Sequence, residues 1–135
     1  MSVLTSIIDR SISGSFSSNA INIKYWAFRD CKNLTSVIFP NTIQIQGEAF
    51  YDCTGLTTAH FPKVASIGAY AFRNCTNLRD IYIGTNTSTV CTISNGSIFY
   101  NCPNLINIYV PSTLVDSYKS AYNWSDYADK IKAAP

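Results

Sequence analysis

The chain repeats one motif, seen most clearly in Ile67-Gly68-Ala69-Tyr70-Ala71-Phe72-Arg73-Asn74-Cys75-Thr76-Asn77-Leu78. Three further copies share its Phe-x-x-Cys-x-x-Leu pattern, and the four phenylalanines of the motif are Phe28, Phe50, Phe72 and Phe99. Their spacings are therefore 22, 22 and 27 residues. A regular period of this length is typical of a solenoid, in which each coil buries its apolar face against the next.

Each repeat leucine is followed by a short alternating segment, such as Leu34-Thr-Ser-Val37-Ile38-Phe39-Pro40. This alternation predicts a strand that ends at the proline and stacks in parallel with the strands of neighbouring coils. The segment before the leucine, Tyr25 to Cys31 in the first clear repeat, is predicted to be a short helical turn. The inward columns of the sheet are then Val37/Ala59/Ile81/Ile108 and Phe39/Phe61/Ile83/Val110.

The outward side of this predicted sheet carries the candidate binding residues. They form an aromatic-rich column and a polar column beside it: Ile38, His60, Tyr82 and Tyr109, and Ser36, Thr58, Asp80 and Asn107. An exposed aromatic ladder edged by small polar groups suits a protein or glycan ligand, because tyrosine adds contact area at low entropic cost. The alternative is that the ladder serves only the sheet, through cross-strand stacking of about 0.2–1 kcal/mol per pair.

One column suggests a special backbone conformation. The residue before the repeat leucine is Asn33, Gly55, Asn77 or Asn104. Asparagine and glycine both tolerate positive φ, so a left-handed turn residue is predicted at this position.

Outside the repeats at 21–111, the two ends of the chain read as caps. Residues 1–20 are interpreted as an N-terminal cap or degenerate coil, with a short strand or helical turn at Val3 to Ile8. Residues 112–135 are interpreted as a helical C-terminal cap, with a capping box of Thr113 and Asp116 and a second helix starting at Ser125. The five extra residues of the insertion at 85–97 predict a hairpin-like bulge, either a tolerated loop or a functional one. The whole chain is thus one predicted domain.

Composition excludes several partners. Charged residues make up 13% of the chain and the net charge is +2. This small charge gives little attraction for a polyanion, so nucleic acid is not a predicted partner. No run of 18 apolar residues occurs, so no membrane span is predicted. The segment 1–10 lacks a basic n-region, which predicts no signal peptide.

The reactive residues form no recognisable catalytic or metal-binding motif. Four of the five cysteines are the repeat cysteines, and equal positions in parallel coils form a line rather than a tetrahedral cage. The interpretation is a column of small buried apolar residues, with a disulfide or a metal site as alternatives. His60, the single histidine, lies on an open sheet face without an oxyanion site, so no catalytic residue and no cofactor are predicted.

The unit Ile-Gly-x-x-Ala-Phe-x-x-Cys-x-x-Leu-x-x-Ile-x-Ile-Pro resembles the BspA-type leucine-rich repeat, over about residues 21–111. The copies depart from it at Ile23-Lys24, at Ile45-Gln46 and at Ile98. The tail from Tyr109 resembles the C-terminal cap of such repeats in gut bacteria and their phages. The resemblance implies a right-handed α/β solenoid, rich in strands, with a parallel sheet on one face and short helical turns on the other.

The resemblance also implies a non-catalytic adhesion or ligand-binding role for a bacterial or phage surface protein. The leading hypothesis is therefore recognition of a protein or carbohydrate through the sheet face. The alternative is a structural subunit of a virion or cell-surface complex, a homo-oligomer or larger assembly, that docks through its N-terminal end. An enzyme is a distant third. Without a signal peptide, the expected location is a virion or the cytoplasm, with surface exposure only by another export route.

Overall fold

The structure is a computed structural model that describes residues 3–4 and 10–135. In chain order, its strands are β1 (Val3–Leu4), β2 (Gly14–Ser17), β3 (Asn22–Ile23), β4 (Leu34–Ile38), β5 (Gln44–Ile45), β6 (Thr58–Phe61), β7 (Ser66–Ile67), β8 (Asp80–Ile83), β9 (Thr92–Ile93), β10 (Asn107–Val110) and β11 (Ile131–Ala133).

The strands form two parallel sheets, because each coil contributes one strand to each. The wide sheet has the order β11-β10-β8-β6-β4-β2, and the narrow sheet has the order β1-β3-β5-β7-β9. The wide sheet and the coil-by-coil stacking confirm the predicted solenoid. The narrow sheet was not predicted, since its two-residue strands are too short to show an alternating pattern.

The repeat phenylalanines form the centre of the core, as predicted. Phe28, Phe50 and Phe72 are fully buried and Phe99 nearly so. Their rings stack from coil to coil, with centroids 4.9 Å apart between Phe28 and Phe50 and 5.2 Å apart between Phe50 and Phe72. A second stack, with a centroid distance of 5.5 Å, joins Phe39 and Phe61 of the inward strand column. A continuous aromatic layer thus runs through the interior from coil to coil.

The segments before the repeat leucines are hydrogen-bonded turns rather than the predicted helical turns. In each turn the residue before the cysteine has a left-handed backbone with φ near 60°: Asp30, Asp52, Asn74 and Asn101. The predicted left-handed positions Asn33, Gly55, Asn77 and Asn104 are not among the positive-φ residues that the structure describes. The prediction of left-handed residues directly before the repeat leucines is therefore wrong, since the left-handed column lies three residues earlier.

Side-chain contacts explain why asparagine and glycine occupy the column that was mispredicted. The Asn77 amide donates a hydrogen bond to the Thr54 carbonyl of the preceding coil at 2.9 Å, and Asn104 does the same to Thr76 at 2.8 Å. At Gly55, a Cβ atom would lie only 2.4 Å from the Lys32 carbonyl oxygen. The column thus reflects close packing between coils and not backbone handedness.

These two asparagine columns should respond differently to mutation. Asn74→Val is expected to be less stable than Asn74→Gly by about 1–2 kcal/mol, because valine is strained at a φ of 60° and glycine is not. At position 77, the valine variant should be as stable as the glycine variant or more stable. Both Asn77→Val and Asn77→Gly lose the same hydrogen bond, and neither relieves backbone strain. Urea denaturation of the four variants would test this; an equal valine penalty at both positions would contradict it.

The insertion at 85–97 does not form the predicted hairpin-like bulge. Its segment Thr92–Ile93 is strand β9, which pairs in parallel with Ser66–Ile67 of the preceding coil. Ile67 and Ile93 are 26 residues apart where Ile45 and Ile67 are 22 apart, so four of the five extra residues precede β9. They lengthen the loop after Gly84, and the coil then returns to its normal path.

The C-terminal cap is partly helical, as predicted, but it ends in a strand. It contains 3₁₀ helices at Ser112–Leu114 and Ser125–Lys130 and the helix α1 at Val115–Ser120. None of these three helices has a side-chain cap hydrogen bond, so the capping box predicted for Thr113 and Asp116 is wrong. Strand β11 follows and adds a sixth strand to the wide sheet beside β10.

The N-terminal end contains the predicted degenerate coil. Strand β2 pairs with β4 in parallel, and Phe16 packs its ring against Phe28 with a centroid distance of 5.3 Å. At the predicted element Val3 to Ile8, Val3–Leu4 is a strand and the remaining positions lie outside the described residues.

Candidate functional site: the outer face of the wide sheet

The two predicted outward columns lie in register on the outer side of the wide sheet, which is the candidate binding face, called the binding face below. Ile38, His60, Tyr82 and Tyr109 are direct neighbours on successive strands. Ser36, Thr58, Asp80 and Asn107 form the parallel column beside them. The structure therefore brings together all eight residues singled out by the sequence analysis.

The aromatic column forms a continuous stack. The rings of His60 and Tyr82 are nearly parallel, with centroids 4.0 Å apart, and those of Tyr82 and Tyr109 are 4.7 Å apart. Ile38 extends this surface and is 46% exposed, while the three rings are half-buried. Because the ring faces contact one another, the stack presents a strip of ring edges that one side of a ligand can cover.

Burial tunes the ionisation of these rings. Desolvation lowers the pKa of His60, so its imidazole is neutral at pH 7. Desolvation, reinforced by Tyr109 and Asp80, raises the pKa of Tyr82, which stays a neutral phenol. The strip is thus uncharged under physiological conditions.

The polar column is ordered by a chain of hydrogen bonds. The Asn107 amide donates to the Asp80 carboxylate at 2.7 Å, and Lys132 of strand β11 donates to the Asn107 side-chain oxygen. Lys132 pairs in register with Tyr109, so it belongs to the same face. Sequence reasoning missed Lys132 because the C-terminal strand that carries it was interpreted as helix.

The arrangement around His60 does not resemble a catalytic site. Asp80 pairs with Thr58 in the neighbouring column, and its carboxylate accepts from Asn107 rather than orienting the imidazole. A histidine base needs an orienting partner and a nucleophile within hydrogen-bonding distance. The geometry of His60 instead serves stacking on Tyr82.

Three of the repeat cysteines bond to the backbone of the preceding coil. The thiols of Cys53, Cys75 and Cys102 donate to the phenylalanine carbonyls of the coil before them at 3.0, 3.2 and 3.0 Å. Burial raises the pKa of Cys102 to about 12. The predicted role as small core residues is confirmed for Cys31, Cys53 and Cys75, which are buried, while Cys102 is half-buried. Alanine could not make the thiol hydrogen bond.

The thiols should therefore react slowly. In the native protein, labelling of Cys53 and Cys75 by a disulfide reagent is expected to follow global unfolding, because both thiols are buried and protonated at pH 8. Cys102, which is half-buried, should react first. Mass spectrometry of timed samples would measure the order. Rapid labelling of all five thiols without denaturant would contradict this assignment.

Residues 3–4 and 10–135 contain no candidate metal site and no candidate membrane-spanning helix. No group of three or more His, Cys, Asp or Glu side chains in these residues is placed to hold a metal ion. The helices of the same residues are all too short or too polar to cross a membrane.

A second ordered surface runs along the turns and was missed by the sequence analysis. The residue after each repeat phenylalanine alternates between arginine and tyrosine: Arg29, Tyr51, Arg73 and Tyr100. The Arg73 guanidinium lies 5.2 Å from the ring centroid of Tyr51 and 5.4 Å from that of Tyr100. Such cation–π contacts contribute about 0.5–1 kcal/mol each at exposed sites. The alternation of arginine and tyrosine is visible in the sequence and could have predicted this row of cation–π contacts.

Comparisons with known proteins agree with this architecture. The family profile described as "BspA type Leucine rich repeat region" matches residues 10–129 in six copies, two more than the four repeats read from the sequence. A search of curated proteins found no match.

Three solved structures resemble the chain, each at 23% identity. The T. pallidum leucine-rich repeat protein matches 73% of this chain with a TM-score of 0.61, and a leucine-rich cell surface protein from Faecalibacterium prausnitzii matches 90% with 0.64. A leucine-rich repeat protein from Bacteroides ovatus matches 92% with 0.53. The matches cover 45%, 32% and 37% of those three proteins, respectively, so the chain spans less than half of each.

Proposed function

Because the chain belongs to the BspA-type leucine-rich repeat family, we propose that it is a non-catalytic module that binds a protein or carbohydrate ligand through the binding face. Leucine-rich repeat families are generally non-catalytic and serve interaction or adhesion. The observation that carries the proposal is the stack of His60, Tyr82 and Tyr109.

The chemistry of the stack suits recognition. Three neutral stacked rings form a strip of aromatic edges, and aromatic side chains dominate the energetics of many interfaces. The hydrogen-bonded column of Asp80, Asn107 and Lys132 runs beside the strip and offers fixed polar groups. An apolar centre with a polar rim is the usual anatomy of a protein interface.

Two tyrosine variants test the proposal. Peptides selected from a displayed random library on the wild-type protein are expected to bind Tyr82→Ala and Tyr109→Ala at least about tenfold more weakly. Titrations of the selected ligands would measure this loss.

The matched control is Tyr122→Ala, because Tyr122 lies in the cap and is 90% exposed. Its affinity should equal that of the wild type. Ligands that bind Tyr82→Ala and Tyr109→Ala as well as the wild type would place recognition elsewhere. Circular dichroism of each variant shows whether a loss of binding reflects a loss of fold.

A second candidate function, self-assembly through the N-terminal end, is favoured by the sheet order. Among the described residues, β2 is the outermost strand of the wide sheet at this end and β11 is the outermost strand at the other end. The helices of the C-terminal cap contact β11, whereas no described helix lies at β2. Unpaired edge strands are templates for pairing with another chain. Ser15 and Ser17 of β2 are exposed and offer positions for a test.

The native mass in solution separates the two functions. An assembly subunit should form oligomers whose size falls when Ser17 is replaced by lysine, because charged side chains on an edge oppose pairing. Light scattering coupled to gel filtration would measure the mass. A wild-type protein that stays monomeric at every concentration would exclude self-assembly.

A further inference from the structure

The narrow sheet forms one side of an open groove of about 470 Å³ that is separate from the binding face. The first residues of β5, β7 and β9 lie in register across three coils: Gln44, Ser66 and Thr92. Their side chains line the groove, while the following isoleucines contribute to the core beneath it. A groove of this volume is within the range of small-molecule sites.

Two glycines create the hollow. A Cβ atom on Gly68 would lie only 2.4 Å from the backbone nitrogen of Gly47, so the two coils touch through bare backbone. A Cβ atom on Gly47 would lie 3.0 Å from the ring of Tyr25. The ring therefore leans over Gly47 and forms one wall of the groove.

Hydrogen bonds hold Tyr25 in this position. Its backbone N–H donates to the Gln46 side-chain oxygen at 3.0 Å, and its hydroxyl donates to the Glu48 carboxylate at 3.0 Å. The other Glu48 oxygen accepts from the indole of Trp26 at 3.3 Å. Tyr25 nevertheless remains 48% exposed, so the wall is fixed and still accessible.

The polar groups of the groove are uncharged. It is lined by amides and hydroxyls from Gln44, Gln46, Ser66, Thr92 and Ser94, and no lining residue carries a formal charge. The Thr92 hydroxyl donates to the Ala65 carbonyl at 3.3 Å, so its oxygen can still accept a hydrogen bond from a ligand. The Gln46 side-chain oxygen accepts from the Tyr25 backbone N–H, so its amide N–H groups can still donate to a ligand. Donors and acceptors are thus both offered.

We propose that this groove is a binding site for a neutral oligosaccharide. Sugar hydroxyls require both donors and acceptors, and the groove supplies both beside a fixed aromatic ring on which the C–H face of a pyranose can pack. Charged ligands find no countercharge among the lining residues. The site lies on the narrow sheet, so the proposal is independent of ligand binding by the wide sheet.

The test uses the full chain labelled with ¹⁵N and titrated with cellotriose, maltotriose and chitotriose, with a glucuronate-containing disaccharide as the charged comparison. At least one neutral trisaccharide is expected to cause saturable shifts of the Gly47 and Gly68 amide signals. The charged disaccharide should bind about tenfold more weakly or not at all.

Variants localise the site. Ser66→Trp and Thr92→Trp each fill the groove from an outward strand position, and Tyr25→Ala removes the wall; each should weaken binding at least about tenfold. Tyr25→Phe keeps the ring and should retain most of the affinity. The matched control Ser117→Trp places the same large side chain on the exposed surface of the cap and should bind as the wild type does.

Three outcomes would overturn the proposal. The first is that none of the three neutral trisaccharides shifts Gly47 or Gly68 at about 10 mM. The second is that binding survives in both tryptophan variants of the groove. The third is that the shifts occur on Tyr82 and Tyr109, which would assign saccharide binding to the wide sheet instead.

Discussion

Replacing Phe72 with alanine is expected to lower the free energy of unfolding by about 3–5 kcal/mol. Phe72 is fully buried between two other repeat phenylalanines, with centroid distances of 5.2 Å to Phe50 and 5.7 Å to Phe99. Its ring also lies 5.9 Å from that of Phe61, on the inward strand column. The substitution therefore opens a cavity where the two aromatic stacks meet.

The loss should be large relative to total stability. Domains of this size have about 5–15 kcal/mol in all, and in a solenoid each coil depends on its neighbours. Guanidinium denaturation followed by circular dichroism would measure the change. Tyr122→Ala, at an exposed position of the cap, should change stability by less than about 0.5 kcal/mol. A Phe72→Ala loss as small as that of the control would mean that the column is not buried.

Replacing Trp124 with alanine is expected to cost a similar amount, about 3–5 kcal/mol. Trp124 is only 1% exposed and packs edge to face on Tyr118 with a centroid distance of 5.2 Å. Its indole N–H donates to the Cys91 carbonyl at 2.7 Å, and the Cys91 N–H donates to the Tyr118 hydroxyl at 2.8 Å. The pair thus joins the cap to the last loop of the repeats by packing and by two buried hydrogen bonds.

A second substitution separates packing from hydrogen bonding. Tyr118→Phe keeps the ring but leaves the Cys91 N–H without its acceptor, which should cost about 1–3 kcal/mol. Thermal unfolding gives the stability of both variants, and hydrogen exchange at the Cys91 amide reports the lost bond directly. If Trp124→Ala unfolds at the wild-type temperature, the cap does not stabilise the repeats.

The repeat pattern predicted most of the core because its signals are local. The spacing of the phenylalanines defines one coil, and the alternation after each leucine defines which side chains point inward. Parallel stacking of equal positions then places Tyr82 beside His60 and Tyr109, as the register confirms. The candidate binding face could therefore be identified from the sequence, with the exception of Lys132.

The turns were mispredicted because the same residue types serve different purposes. Asn74 and Asn77 look alike in the sequence, but Asn74 has the left-handed backbone and Asn77 bonds to the preceding coil. The column that contains Asp30, Asp52, Asn74 and Asn101 holds only aspartate and asparagine, and this restriction was the better signal for positive φ.

The sequence by itself determined the solenoid, its aromatic core and the outward columns, because a regular period repeats the same local choice in every coil. Only the tertiary structure decided the narrow sheet, the C-terminal strand and the groove beneath Tyr25. These features depend on contacts between coils: two-residue strands pair only when the coils stack. The groove exists because the backbones of two coils touch at Gly47 and Gly68. This contact lies between coils, so the sequence of one repeat alone does not reveal it.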